Sequence, residues 1–158
     1  MFRRPRLVRP RPDGRYDLKI DVEQRRFLAR LAGELRDLVT DDEPGTERLF
    51  PSPYPDDPER DAGWHAVVRH ELVEAHLAAI TTVERTAELS VIDEGELAQW
   101  MTAMNALRLV LAERLGIDDE HDDVDPGRPD DPRAPAFNLY HHLGFVLDEI
   151  VRARSERL

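Results

Sequence analysis

Four stretches of the chain repeat apolar residues at the spacing of an α-helix, and this pattern limits the possible folds more than any other feature. The stretches cover 22–39, 58 to between 80 and 89, 93–115, and 136–154. Residues at i, i+3, i+4 and i+7 share one face of a helix, so each stretch predicts an amphipathic helix. Four such helices joined by loops predict a mainly α, four-helix bundle-like domain.

Cap signals mark the ends of these stretches. Asp21, Asp57 and Asp93 each stand where the side chain of an N-cap residue is expected. Pro58 follows at the first helical position, where a missing backbone N–H costs nothing. Gly116 comes directly after the third stretch and is typical of a helix C-terminus.

A small β-hairpin is predicted ahead of the first helix, over residues 1–20. Asp13-Gly14 is a turn signal, and residues 16–20 alternate between apolar and polar as a half-buried strand does. Pro5 cannot donate a ladder hydrogen bond, so the first strand should lie at an edge.

The 158 residues are predicted to form one domain that is large enough to bury a core. Its predicted parts are a basic β-hairpin at 1–20, three helices with a proline-rich connection at 21–117, an acidic flexible loop at 118–135 and a C-terminal helix at 136–158. The loop is predicted from its composition, because eight acidic side chains and several prolines leave little apolar surface to bury.

Composition excludes several classes of chemistry. The chain has no cysteine, which excludes disulfides, thiolate metal sites and cysteine nucleophiles. No long apolar run follows the basic start, so neither a signal peptide nor a membrane span is predicted, and the expected location is the cytoplasm. No Gly-rich phosphate loop, calcium-loop order or catalytic constellation is present, so we expect no enzyme activity and no cofactor.

Charge is distributed unevenly along the chain. Residues 1–19 carry seven basic and two acidic side chains, whereas the whole chain has a net charge of −11. Residues 1–19 therefore form a basic N-terminal arm on an acidic body. A basic arm can bind nucleic acid, an acidic protein surface or the acidic body of its own chain. An acidic body would repel duplex DNA, which favours a protein partner. The candidate partner-binding residues are Arg3, Arg4, Arg6, Arg9 and Arg11.

Metal-dependent chemistry on the second helix is an alternative. His70 and Glu74 are one turn apart, with Glu71 and His76 nearby, and two such side chains can bind a divalent cation. The segment lacks the second histidine of the metalloprotease motif. Charged side chains at this spacing are more typical of a solvated helix face, so no metal ligand is predicted.

One arginine of the third helix requires a structural explanation. Arg108 lies near the apolar stripe, where a charged side chain needs a carboxylate or carbonyl partner. Aspartates at 56 and 57 and the carbonyls of 48–55 are the expected partners. The predicted structural clamp comprises Arg48, Asp56, Asp57, Asn105 and Arg108.

The order of several segments resembles a known family. A basic hairpin leads into Asp-Val-Glu-Gln-Arg-Arg-Phe-Leu at 21–28, and Arg-Leu-Phe-Pro at 48–51, Tyr-Pro-Asp-Asp at 54–57 and Asn-Ala-Leu-Arg-Leu at 105–109 follow. This order resembles an actinobacterial family catalogued as a domain of unknown function. Its members are often encoded near the ClpS adaptor of the Clp protease.

The resemblance implies a regulatory setting linked to oxidative stress. A role as a stress-linked transcriptional regulator has been proposed within the family, and that role depends on a cysteine pair near the N-terminus. This chain has arginine and proline in that region and no cysteine, so a thiol switch cannot be carried over. Any regulatory input must therefore use different chemistry.

Together, these features predict a non-enzymatic regulatory or adaptor protein that acts by protein–protein interaction. The resemblance makes the transcription machinery and the Clp machinery the candidate partners. Two alternatives stay open. One is a DNA-binding transcription regulator that uses the basic arm, and the other is a metal-dependent enzyme built on His70 and Glu74. The sequence leaves the oligomeric state undetermined.

Overall fold

Four α-helices dominate the fold, seen here in a computed structural model that describes residues 4–41, 43–117 and 130–157. The helices are α1 (Val22–Thr40), α2 (Pro58–Thr86), α3 (Glu94–Leu115) and α4 (Ala134–Ser155). The other elements of these ranges are β1 (Val8–Pro10), a strand β2 (Tyr16–Leu18), a strand β3 (Val91–Ile92) and a 3-10 turn at Glu47–Leu49. The prediction of a mainly α fold with four helices and a small N-terminal β structure is confirmed.

Each helix packs mainly against its neighbour in sequence, α1 on α2, α2 on α3 and α3 on α4. Trp100 of α3 lies in the centre of the resulting core, and its indole N–H donates to the Thr86 hydroxyl at 2.8 Å. This hydrogen bond satisfies the one polar atom of a side chain that is otherwise apolar. Other fully buried side chains come from all four helices: Leu28, Leu35, Ile80, Met104, Leu143 and Ile150.

The ends of the helices follow the cap signals. Asp93 accepts the backbone N–H of Glu96 at 2.8 Å, and the Glu96 side chain accepts the backbone N–H of Asp93 at 2.9 Å, which completes a capping box. Asp21 caps α1 by accepting the N–H of Glu23 at 3.0 Å. Gly116 ends α3 in the left-handed conformation, with φ of 69°.

A third strand extends the predicted hairpin into a sheet of order β1-β2-β3. Both pairings are antiparallel, with Val8 opposite Leu18 and Tyr16 opposite Ile92. These four side chains are buried, and β1 packs on α4. The sequence did not predict β3, because two residues between helices are too few to show an alternating pattern.

Two predicted boundaries are corrected. The last helix begins at Ala134 rather than at 136, because Pro135 fits the first helical turn, and it ends at Ser155. Residues 118–129 of the predicted acidic loop lie outside the described residues, and residues 130–133 form turns that lead into α4.

The proline-rich connection lies against the body at one end. Leu49 and Phe50 are buried, whereas Tyr54 is half-buried. One turn of 3-10 helix precedes the first proline of the connection, although no helix was expected there. The prolines begin only at Pro51, so they do not prevent that turn.

The buried residues of α2 are confined to its last third, from Ala79 to Thr86. Val67 is an apolar residue of the second predicted stretch, but 73% of it is exposed, and Ala75 is exposed as well. The early turns of α2 therefore bury much less apolar surface than the period of their apolar residues suggested. None of the helices in the described ranges has the length and apolar character needed to cross a membrane.

Candidate functional site

The N-terminal arm is held on α4 by a buried carboxylate. Glu149 is only 3% exposed, and its side chain accepts the backbone N–H of Leu7 at 3.2 Å. The same carboxylate accepts the guanidinium of Arg152, three residues later on α4. These two contacts neutralise a charge that would otherwise be costly to bury, and they fix where the arm lies.

The arm and α4 together enclose a concave surface that we call the arm groove. It has a volume of about 740 Å³ and is lined by Arg4, Pro5, Arg6, Arg9 and Arg152. Three of the five predicted partner-binding arginines therefore lie in one place. Arg152, which the sequence did not single out, joins them from α4.

The arginines of the arm groove are only partly neutralised. Arg6 forms an ion pair with Glu156 at 2.9 Å, and Arg152 is paired with Glu149 and lies 3.7 Å from Glu156. Neither Arg4 nor Arg9 has a carboxylate partner in the described part of the chain, and both are exposed. Arg4 lies over the ring of Phe145, with its guanidinium carbon 5.7 Å from the ring centroid.

The other two predicted arginines do not line the groove. Arg3 lies outside the described residues. Arg11 is used within the hairpin, where it pairs with Asp17 at 3.0 Å and with Asp13 at 3.3 Å. A hydrogen bond from the backbone N–H of Arg15 contributes most to lowering the pKa of Asp13 to about 2. This carboxylate is therefore ionised at neutral pH and available to Arg11.

A second concave surface adjoins the first and shares Arg4 and Pro5 with it. We call it the Arg108 pocket, and its volume is about 620 Å³. Arg108 projects from α3, with its guanidinium carbon 4.4 Å from the centroid of the Tyr140 ring. The remaining walls come from α4: His141, His142, Gly144, Phe145 and Asp148.

The predicted clamp does not assemble as expected. Arg108 faces Tyr140 of α4 and not the aspartates before α2, because the residues of α3 on this side pack against α4. Asp57 instead caps α2 by accepting the N–H of Arg60 at 3.1 Å. Asp56 and Asn105 are both exposed.

Arg48 is the predicted clamp residue that does join two elements. Its guanidinium pairs with Glu113 at 3.0 Å and donates to the backbone carbonyl of Ile117. It thereby ties the turn before the proline-rich connection to the C-terminal end of α3, where a cation is favoured by the helix dipole. Its partners lie at the C-terminal end of α3 and directly after it, whereas the prediction placed the clamp at the aspartates.

Arg25, the most completely buried arginine of the described residues, was not among the predicted site residues. Arg25 is 5% exposed, and its guanidinium donates to the backbone carbonyls of Ala87 at 2.8 Å and of Ile20. The sequence does contain a signal for its burial, since Arg25 lies three residues before Leu28 and shares the buried face of α1. An arginine at such a position needs internal acceptors.

The histidine and glutamate considered for metal binding are both on the surface. Their side chains lie 3.6 Å apart, and 81% of the His70 side chain and 69% of the Glu74 side chain are exposed. His76 instead packs edge-on against Phe50, with ring centroids 5.8 Å apart. Within the described ranges, no three metal-binding side chains come together.

The burial of His76 predicts a pH effect on stability. Desolvation lowers the pKa of His76, and a hydrogen bond with the backbone of Leu49 opposes it. The unfolded chain therefore takes up a proton below a pH of about 6.5 before the folded chain does, and stability falls as the pH falls through this range. We expect His76→Gln to make the decline of Tm between pH 7 and pH 5 shallower.

The control for this prediction is His70→Gln, because His70 is largely exposed. We expect its Tm to follow that of the parent at every pH. Equal slopes for the parent and the His76→Gln protein would show that His76 titrates as an exposed histidine does.

Comparison with known proteins identifies the family but no characterised relative. A family model described as "Domain of unknown function (DUF2017)" matches residues 3–154, which include the arm, the sheet and almost all of α4. Comparisons with curated proteins and with solved structures return no match. Because the family model matches nearly the whole chain, the protein belongs to the DUF2017 family of domains of unknown function.

Proposed function

We propose that this chain is a non-enzymatic adaptor or regulatory protein of the cytoplasm that binds an acidic surface of another protein through the arm groove. The observation that carries the proposal is the gathering of Arg4, Arg6, Arg9 and Arg152 in one concavity of a chain whose net charge is −11. A local cationic patch on an acidic body favours one orientation of approach by an acidic partner.

The state of these arginines supports binding over a purely structural role. Arg4 and Arg9 are exposed and have no carboxylate partner among the described residues. Ion pairs with Glu156 already hold the side chains of Arg6 and Arg152 in the groove. A partner that binds there therefore loses less free energy to the ordering of these side chains. Arginine also binds carboxylates in a bidentate manner, which suits recognition of aspartate and glutamate.

A protein partner is favoured over duplex DNA by charge. The groove offers two uncompensated cations, and a duplex would place many phosphates against the rest of an acidic chain. The resemblance to a family encoded near the ClpS adaptor, with members proposed as stress regulators, makes the Clp machinery and the transcription machinery the first partners to test.

The experiment is a crosslinking pull-down from the cells that naturally make the protein. The test variant carries Arg4→Glu and Arg9→Glu. The matched control carries Arg30→Glu and Arg60→Glu, which change the net charge equally at exposed positions outside the groove. We expect an acidic protein to be recovered with the parent and the control and to be lost with the test variant.

Two outcomes would contradict the proposal. Equal recovery of the partner by both double variants would place the interface elsewhere. Retention of the parent on duplex DNA at physiological salt, lost only in the Arg4→Glu/Arg9→Glu protein, would favour the DNA-binding regulator instead.

A further inference from the structure

The Nε of Arg108 has no hydrogen-bond acceptor among the residues that the structure describes. Its guanidinium carries five N–H donors, and its Nε is shielded from solvent and has no hydrogen-bond partner among the described residues. Buried donors in proteins are nearly always paired, and an exception requires a physical explanation, of which a bound ion is one. The Arg25 guanidinium, which donates to two carbonyls, shows how this fold pairs a structural arginine.

The guanidinium of Arg108 is positioned by its neighbours and does not move freely in solvent. It lies over the ring of Tyr140, an arrangement in which arginine is stabilised by the π-electrons of the ring. Gly144 of α4 lies against it, since a Cβ at that position would be in van der Waals contact with the Arg108 Nε at 3.4 Å. The guanidinium is therefore held between α3 and α4 on the wall of the pocket.

Other donors line the same pocket. Arg4 enters from the arm, and His141 and His142 enter from the first turns of α4, whereas Asp148 is the one carboxylate on its wall. The charges of the two arginines exceed what one carboxylate neutralises. The excess predicts an anionic ligand with several acceptor oxygens, which several donors can reach together.

We propose that the Arg108 pocket binds the phosphoryl group of a small-molecule phosphate monoester. A phosphoryl group offers three oxygens and up to two charges, which match the two arginines better than a single planar carboxylate does. The volume of about 620 Å³ exceeds the size of a phosphate ion, and Phe145 supplies an apolar wall for the rest of the ligand.

The pocket is distinct from the proposed partner interface. Arg108, His141 and His142 do not line the arm groove, and only Arg4 and Pro5 are shared. Failure of phosphate binding would therefore leave the partner proposal standing, and failure of partner binding would leave the pocket proposal standing. The probes for the pocket are small molecules, and their binding needs no partner protein.

The test is NMR titration of the full chain with inorganic phosphate, phenyl phosphate and benzoate, monitored at the Nε–Hε group of Arg108. We expect phenyl phosphate to bind most tightly, because it has both a phosphoryl group and an apolar body. Arg108→Gln should weaken its binding by roughly tenfold to a hundredfold, since a charge-assisted bidentate contact is lost. Arg114→Gln, an exposed position of the same helix, should bind as the parent does.

The variants must be folded for this comparison, so the Tm of each is measured in the absence of ligand. Arg108→Lys, which keeps the charge but not the fork, should bind with intermediate strength. Equal binding of benzoate and phenyl phosphate would overturn the phosphoryl assignment. Equal phenyl phosphate binding by the parent and the Arg108→Gln protein, or no shift of the Arg108 signal, would overturn the site.

Discussion

Replacement of Arg25 by methionine is expected to destabilise the protein strongly. The variant leaves the carbonyls of Ile20 and Ala87 without their donor in a buried place, where the guanidinium joins the end of α2 to the start of α1. Hydrogen bonds to a charged group contribute about 1.5–3 kcal/mol each and are not additive, so we expect a loss of about 3 kcal/mol. Methionine keeps much of the apolar stem, which limits the contribution of a cavity.

Denaturant unfolding and Tm measure this loss. For a domain of this length, 1 kcal/mol corresponds to a Tm decrease of roughly 2–4 °C, so a decrease of roughly 6–12 °C is expected. The control is Arg26→Met, at the neighbouring position. The Arg26 side chain is 47% exposed, and ion pairs of exposed side chains contribute about 0–1 kcal/mol to stability. Equal losses for the two variants would mean that Arg25 is not a buried structural donor.

Replacement of Glu149 by methionine should release the N-terminal arm. The variant removes the acceptor for the Leu7 N–H and the partner of Arg152, which is 40% exposed and can turn to water or to Glu156. We therefore expect a loss of about 2 kcal/mol, below the cost of breaking a pair in which both charges are fully buried. Amide hydrogen exchange at residues 7–9 should accelerate more than exchange in α3.

Glu149→Gln and Glu156→Gln complete this series. Glutamine at 149 keeps an acceptor for the Leu7 N–H, so it should recover much of the stability. Glu156 is exposed, and its pair with Arg6 should contribute about 0–1 kcal/mol. Unchanged exchange at residues 7–9 in the Glu149→Met protein would show that strand pairing alone holds the arm.

Apolar period and cap chemistry predicted the helices because both are local properties. Asp93 and Gly116 mark the ends of α3 with contacts inside one or two turns of chain. The third strand could not be predicted in this way. Tyr16 pairs with Ile92 from the middle of the chain, and nothing local in a two-residue strand indicates which partner it will have.

The candidate site was predicted in part for the same reason. Arg4, Arg6 and Arg9 are close in sequence and stay close in space, so a cluster of arm arginines could be expected. Arg152 and the buried Glu149 come from the opposite end of the chain, and only the packing of α4 on β1 brings them to the arm. Arg108 was predicted to need a partner, but the spacing of residues along α3 does not indicate that α4 is the helix it faces.

The measurement that tests the central claim most directly is the affinity of the recovered acidic partner for the purified protein at two salt concentrations. We expect the Arg4→Glu/Arg9→Glu protein to bind roughly tenfold to a hundredfold more weakly than the parent, because two charge contacts become repulsive. The Arg30→Glu/Arg60→Glu protein should bind nearly as tightly as the parent, and higher salt should weaken the parent mainly by slowing association. Equal weakening in the two double variants would show that net charge, and not the arm groove, determines binding, and would contradict the account.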